Sequence, residues 1–290
     1  MSARFGPAGN AESFSKVHKS SLAAPAWIAQ QGLDCYEYQC GKGVHVGEDT
    51  ARKLGEKARE AGIALSVHAP YFINLANPDP ESRVKTTNYV LESCFVAQVM
   101  GAERIVIHSG ALMKRSRQEA LDIAKETLKQ VLEACDRQGY GNITLCPETM
   151  GKINQLGDLD EVLTLCTLDE RLIPCIDFGH LYARSLGELE GEQACREMLD
   201  KVERVLGEER ASRFHSHFSR IEFTPNGGEK RHRTFADHGG FGPDWTPLAR
   251  EVARRGWSPT FICESAGTQA EDAQTMKKIY QGFCSSEEAL

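Results

Sequence analysis

The sequence predicts an α/β fold in which eight strand–helix repeats close into one (β/α)8 barrel, and three observations carry that expectation. Short β-rich runs alternate along the whole chain with segments whose apolar residues recur at helical spacing. The length of 290 residues suits an α/β barrel, which uses about 250 residues as one unit. No low-complexity linker divides the chain, so a single domain is expected over 1–290. Such alternation implies parallel strands with right-handed crossovers, and eight repeats permit closure without an exposed edge.

In chain order the β-rich runs are Ala3–Gly9, Cys35–Cys40, Ala64–Pro70, Arg104–Gly110, Ile143–Thr149, Ile173–His180, Ser212–Ser219 and Thr260–Ser265. The helical segments between them are Leu22–Gln31, Asp49–Ala61, Glu81–Met100, Ser116–Gln138, Asp158–Leu168, Glu192–Leu206 and Pro247–Arg255, and Ala270–Phe283 follows the last strand. An open doubly wound sheet is the alternative. It needs a Gly-rich phosphate loop after the first strand, where this chain reads Gly6-Pro7-Ala8-Gly9-Asn10, a poor match. The longest irregular stretch, Ser219–Trp245, follows strand seven on the face where barrel enzymes carry their sites.

Composition narrows the function classes. The formal charge of -7 argues against a broad polyanion binder but leaves open a local site whose carboxylates are neutralised by metal. Met1-Ser2-Ala3-Arg4-Phe5 does not open a signal peptide, and no apolar run is long enough to span a membrane, so a cytoplasmic, non-membrane protein is expected. The 10 cysteines occur singly, with no Cys-x-x-Cys pair, and read as reduced buried thiols. Cys146 and Cys175 among them are expected to fill the barrel interior.

Chemistry concentrates at strand ends. His68 ends strand three, His108 strand four, Glu148 strand five, Asp177 and His180 strand six, His215 strand seven and Glu264 strand eight. In a barrel these ends point to one face, so residues distant in sequence converge. A lone histidine after an apolar run reads equally well as a hydrogen-bonded core residue. Buried carboxylates in Cys175-Ile176-Asp177 and Ile262-Cys263-Glu264 are harder to accommodate, because an unpaired buried charge costs several kcal/mol. Mixed His/carboxylate ligation suits Zn²⁺, Mn²⁺ or Fe²⁺. His217, two residues past His215 on the same strand face, is expected to support the ligands, and His45 and His238 are expected in loops.

Six segments together carry a family resemblance: Ser66-Val67-His68-Ala69-Pro70-Tyr71-Phe72-Ile73-Asn74-Leu75-Ala76, Ile107-His108-Ser109-Gly110, Pro147-Glu148-Thr149, Cys175-Ile176-Asp177-Phe178-Gly179-His180, Phe214-His215 and Cys263-Glu264-Ser265. In order and spacing they resemble the endonuclease IV family of apurinic/apyrimidinic endonucleases. The resemblance implies a multinuclear zinc centre that hydrolyses the phosphodiester 5′ to abasic sites in double-stranded DNA. It implies one zinc on His68, His108 and Glu148, and a second on Glu148, Asp177, His215 and Glu264, with Glu148 and Glu264 as the catalytic carboxylates. The family's third zinc uses a histidine matched by His180 and an Asp-x-His pair in the strand-seven loop. His232 fits that pair, but Lys230 stands where the aspartate belongs. Two tightly held zincs and a weak or absent third are therefore expected, unless Glu229 turns inward.

Tyr71 matches a tyrosine that family members insert into the duplex at the lesion, where an aromatic wedge stabilises a flipped-out state. Lys114, Arg115 and Arg117 after strand four, Lys152 after strand five, and Lys230, Arg231 and Arg233 after strand seven stand where a DNA backbone would pass. A monomer is expected. Two rival functions remain: a ketose isomerase or epimerase holding one Mn²⁺ or Mg²⁺ on Glu148, Asp177, His215 and Glu264, and a non-catalytic DNA-damage binder. A single-ion epimerase has no use for His68, His108 and His232.

Overall fold

The computed structural model describes residues 2–287; Met1 and residues 288–290, the ends of the expected span, lie outside the described residues. In chain order the strands are β1 (Arg4–Pro7), β2 (Cys35–Gln39), β3 (Ala64–His68), β4 (Arg104–His108), β5 (Thr144–Glu148), β6 (Cys175–Asp177), β7 (His215–Phe218), β8 (Arg220–Thr224), β9 (Gly228–Arg233) and β10 (Thr260–Cys263). Eight of them form one parallel sheet in the order β1-β10-β7-β6-β5-β4-β3-β2, while β8 and β9 form an antiparallel hairpin. The sheet curls until its edges meet. Ala8 bridges Glu37 in parallel, Gly9 N donates to Glu37 O at 2.9 Å, and Asp34 N donates to Phe5 O at 2.8 Å. The open doubly wound alternative is thereby excluded.

Strand alternation sorts the side chains into two layers. Phe5, Val67, Ile105, Leu145, Ile176, Phe218 and Phe261 point outward and share one core with Leu54, Leu128, Val131, Leu199, Val252 and Met276 of the surrounding helices. The lumen is lined differently. Val106, Cys146 and Cys175 pack on one side of it and Ala8, Cys35 and Ile262 on another. Buried polar residues, Glu37, Ser66, His215 and His217, occupy the rest.

The helices begin where their sequences supply caps. Ser116 with Glu119, and Asp158 with Glu161, form capping boxes on Arg117–Arg137 and Leu159–Cys166, and Asp79 caps Pro80–Met100. The expected sixth strand, Ile173–His180, ends early for the same reason. The Asp177 carboxylate accepts from His180 N at 2.7 Å, so the chain turns into a helix over Phe178–Arg184, and His180 sits on that helix rather than on a strand. Within the stretch expected to be irregular, Ser219–Trp245, the β8–β9 hairpin forms over Arg220–Arg233. Short helices over Glu12–Val17 and Glu208–Ala211 were not expected. Among the described residues no helix is long and apolar enough to cross a membrane. All 10 cysteines are free, and each except the half-buried Cys284 is buried.

Closure depends on Gly6. A Cβ at this position would lie 1.8 Å from the Cys35 carbonyl oxygen, well inside contact distance, so only a residue without a side chain lets β1 lie this close to β2. Gly6→Ala should lower unfolding stability by about 3 kcal/mol or more, as overpacking at a backbone contact does. Denaturant unfolding checks this, and an unchanged midpoint would contradict the contact.

Candidate metal centre

The C-terminal ends of β3 to β7 and β10 open into a cleft of about 320 Å³ whose walls include His68, His108, Glu148, His180, Glu229, His232 and Glu264. Glu148, the last residue of β5, stands at its centre and is buried. Its Oε2 faces His68 Nε2 at 3.4 Å and His108 Nε2 at 3.2 Å, and its Oε1 faces His217 Nδ1 at 2.9 Å. One carboxylate therefore separates two sets of nitrogens.

The nitrogen that each histidine presents is fixed by what its other nitrogen does. His68 Nδ1–H donates to Ala69 O at 2.7 Å, which leaves Nε2 toward Glu148. His180 Nδ1–H donates to Thr149 O at 2.8 Å, and its Nε2 lies 3.5 Å from Glu229 Oε2. His232 Nδ1 hydrogen-bonds the Ser219 hydroxyl at 2.7 Å, and its Nε2 lies 4.0 Å from Glu229 Oε1. His217 is the exception in orientation. Its Nε2–H donates to Glu37 Oε1 at 2.9 Å, so Nδ1 faces Glu148 and, at 3.6 Å, Glu264 Oε1.

His217, rather than His215, is the strand-seven histidine of the cleft. Ligand atoms of Glu148, Asp177, His217 and Glu264 lie within 4.8 Å of one another. His215 stands two residues deeper, level with Cys175, whereas His217 is level with Asp177. His215 Nε2–H donates instead to Glu37 Oε2 at 2.8 Å. Burial, partly offset by Glu37, lowers its pKa to about 4 and keeps it neutral. Cys175 touches the same pair of histidines, but burial pushes its thiol well up, as it pushes Cys146 up to about 12. Both stay protonated and fill space, as expected from the sequence.

Glu229 occupies the place that the sequence leaves short of an aspartate. In a regular strand residues two apart share a face, so His232 would bring Lys230 inward. The hairpin departs from that rule. Arg231 pairs with Glu222 but Glu229 pairs with Phe223, which leaves Lys230 as the extra residue of a bulge. Lys230 turns out to Glu222, which Arg231 and Arg233 also bind, and Glu229 turns in. The hairpin is docked by Glu229 N donating to Gly151 O at 3.1 Å. A Cβ at Gly151 would lie 2.6 Å from the Glu229 Cβ, so this glycine makes the room. Lys230 therefore does not face the cleft.

The electrostatics fit divalent cations. Glu148 Oε2 and Asp177 Oδ2 are buried and have no hydrogen-bond partner. Burial together with the charges of Glu264 and Glu148 raises the Asp177 carboxyl, against the pull of His180. Burial works against the His68 proton, yet Glu148 outweighs it and raises the pKa to about 9; Asp177 and Glu229 do the same for His180. Without cations, protons on histidine carry the compensating charge.

One feature was not read from the sequence. Glu37, fully buried on β2, holds His215 and His217 together, with Ser66 donating to it at 2.9 Å. Its signal was parity, since Cys35, Glu37 and Gln39 share one face of an apolar run. Tyr71 and Lys114 lie where expected, exposed on loops after β3 and β4, and Tyr71 and Lys152 line the cleft.

Comparisons with known proteins agree with the barrel fold. Residues 25–280 match the family model described as a xylose isomerase-like TIM barrel. An uncharacterized protein of Methanocaldococcus jannaschii is 34% identical over 253 residues, 87% of this chain and 89% of that one. A probable endonuclease 4 of Acholeplasma laidlawii is 32% identical over 132 residues, 43% of this chain and 44% of the relative. Among solved structures, endonuclease IV from Thermus thermophilus aligns with a TM-score of 0.67 at 18% identity, covering 98% and 99% of the two chains. A D-tagatose 3-epimerase-like protein aligns with 0.73, also at 18% identity and the same coverage. At that identity both show the fold alone.

The two strand-seven histidines separate by metal content. His217→Ala should lose at least one equivalent of divalent metal, read by plasma mass spectrometry on protein purified without chelator, and His215→Ala should lose none. The reverse pattern would restore His215 as the ligand.

Proposed function

The chain belongs to the xylose isomerase-like TIM-barrel family, and from that premise we propose that it is a zinc-dependent DNA-repair endonuclease that hydrolyses the phosphodiester 5′ to abasic sites in double-stranded DNA. The observation that carries this reading is the position of Glu148 between two ligand sets, with a third set beside them. His68, His108 and Glu148 would hold one zinc, and Glu148, Asp177, His217 and Glu264 a second. His180, His232 and Glu229 would hold the third, so three ions are expected where the sequence suggested two. Mn²⁺ or Fe²⁺ would suit the same donors.

Bound cations of this kind supply Lewis acidity toward a phosphodiester and lower the pKa of water toward neutrality. The chain's own residues do the rest. Glu148, Asp177, Glu264 and Glu229 place negative charge to hold the cations, and Glu37 fixes the tautomer of His217 through its Nε2–H. At the rim the exposed Tyr71 offers a ring for stacking into a gap in the duplex. Lys152 is exposed on the cleft wall that Tyr71 also lines, Lys114 is exposed on the loop after β4, and Lys230, Arg231 and Arg233 share the single carboxylate of Glu222, leaving the hairpin cationic toward a phosphate backbone.

One observation favours a second reading. Glu148, Asp177, His217 and Glu264 converge without help from the other groups, and four such ligands suffice for a ketose epimerase that holds a single Mn²⁺ or Mg²⁺. That reading leaves His68, His108, His180, His232 and Glu229 without a task. The inward Glu229 likewise completes a third ligand set that a non-catalytic DNA binder has no use for.

Metal-loaded protein should cut a duplex containing one abasic site, read on a denaturing gel, and chelator should abolish cleavage. Glu148→Gln should lower the rate by about 10³-fold or more, the scale of removing a principal charge-stabilising group. Glu229→Ala should remove one metal equivalent and leave the others. Interconversion of ketose epimers with the abasic duplex intact would overturn the proposal.

A further inference from the structure

The opposite end of the barrel holds a second polar cavity, of about 190 Å³, lined in part by Arg4, Arg59, Arg104, Ser66, His215 and Thr260. We propose that it is a binding site for a phosphate group, held by the three arginines and recognised through its hydroxyl by His215.

The charge around this cavity is unbalanced. Arg104 opens β4 and its guanidinium reaches across the lumen to donate to Thr260 Oγ1 at 3.3 Å, yet it makes no ion pair among the described residues. Arg4, which opens β1, and Arg59 make none either. Burial holds the Arg104 pKa below its ordinary value, and the like charge of Arg4 adds to that. Against the three guanidinium groups the cavity wall carries one carboxylate, the exposed Glu103. A desolvated cation without a counter-ion is costly, and a planar guanidinium binds a tetrahedral oxyanion through two parallel hydrogen bonds.

The cavity lining also includes an orphaned acceptor. His215 is fully buried and donates its Nε2–H to Glu37, while its Nδ1 has no hydrogen-bond partner. Because the ring spends its Nε2–H on Glu37, Nδ1 presents a bare lone pair that calls for a donor. The ligand must therefore offer acceptor oxygens to the arginines and one O–H to His215. Hydrogenphosphate and the singly protonated form of a phosphomonoester have both. Sulfate and carboxylates at neutral pH have only the acceptors.

The site lies at the strand N-terminal ends, away from the cleft that holds Glu148, and it stands or falls independently of the nuclease reading. The test is calorimetric titration of inorganic phosphate into metal-loaded and chelator-treated protein. Phosphate should bind in both states, because this component needs no metal. Arg59→Gln and Arg4→Gln, both at exposed positions, should each weaken it about tenfold or more, the loss expected for a charge-assisted hydrogen bond. Sulfate should bind about tenfold more weakly than phosphate. Binding only while metal is present would assign the phosphate to the metal cleft and overturn the second site. Binding untouched by both arginine changes would do the same. Sulfate equal to phosphate would overturn the role of His215.

Discussion

A carboxylate shut off from water at the mouth of the barrel, Glu148, sets the demands that its neighbours meet. Buried beside Asp177 and Glu264, it creates a concentration of negative charge that the interior does not tolerate alone. Histidines from β3, β4 and β7 answer it, each with one nitrogen turned inward, and those of His68 and His217 held there by a bond from the other. Such a cluster is stable only with protons or cations in it. Proton uptake by His68 and His180, whose pKa values rise to about 9, describes one of those states, and the orphaned oxygens of Glu148 and Asp177 point to the other. Because metal ligation needs the free nitrogen, cation binding competes with these protons and strengthens as pH rises toward that value.

Glu37 joins this cluster to the rest of the lumen. It accepts from His217 above and His215 below, and the ladder between β1 and β2 closes through its own backbone. One residue therefore takes part both in the barrel closure that Gly6 permits and in the orientation of the His217 ring. The fold and the site are fixed by the same contacts.

Much of this was legible in the sequence. Alternation of strand and helix pointed to the barrel, and position at strand ends placed His68, His108, Glu148, Asp177 and Glu264 at its C-terminal face, because the end of a β-rich run is legible without tertiary information. Parity does not measure depth. His215 and His217 share a face, and only the register that sets His217 level with Asp177 distinguishes them. The inward turn of Glu229 depended on a bulge at Lys230 and on space at Gly151, which are properties of two loops meeting. His180 lay beyond a strand end that a local cap had already closed. Basic residues after strand seven were read as standing where a DNA backbone would pass, and the sequence alone did not reveal that Lys230, Arg231 and Arg233 gather on Glu222.

The proposed function requires that the cleft hold several cations around one shared carboxylate. Anomalous diffraction at the zinc edge, from crystals of protein purified without chelator and supplied with zinc, tests that directly. Three peaks are expected: one between His68, His108 and Glu148, one within Glu148, Asp177, His217 and Glu264, and one between His180, His232 and Glu229. A single peak confined to the quartet, with the remaining histidines bare, would contradict it.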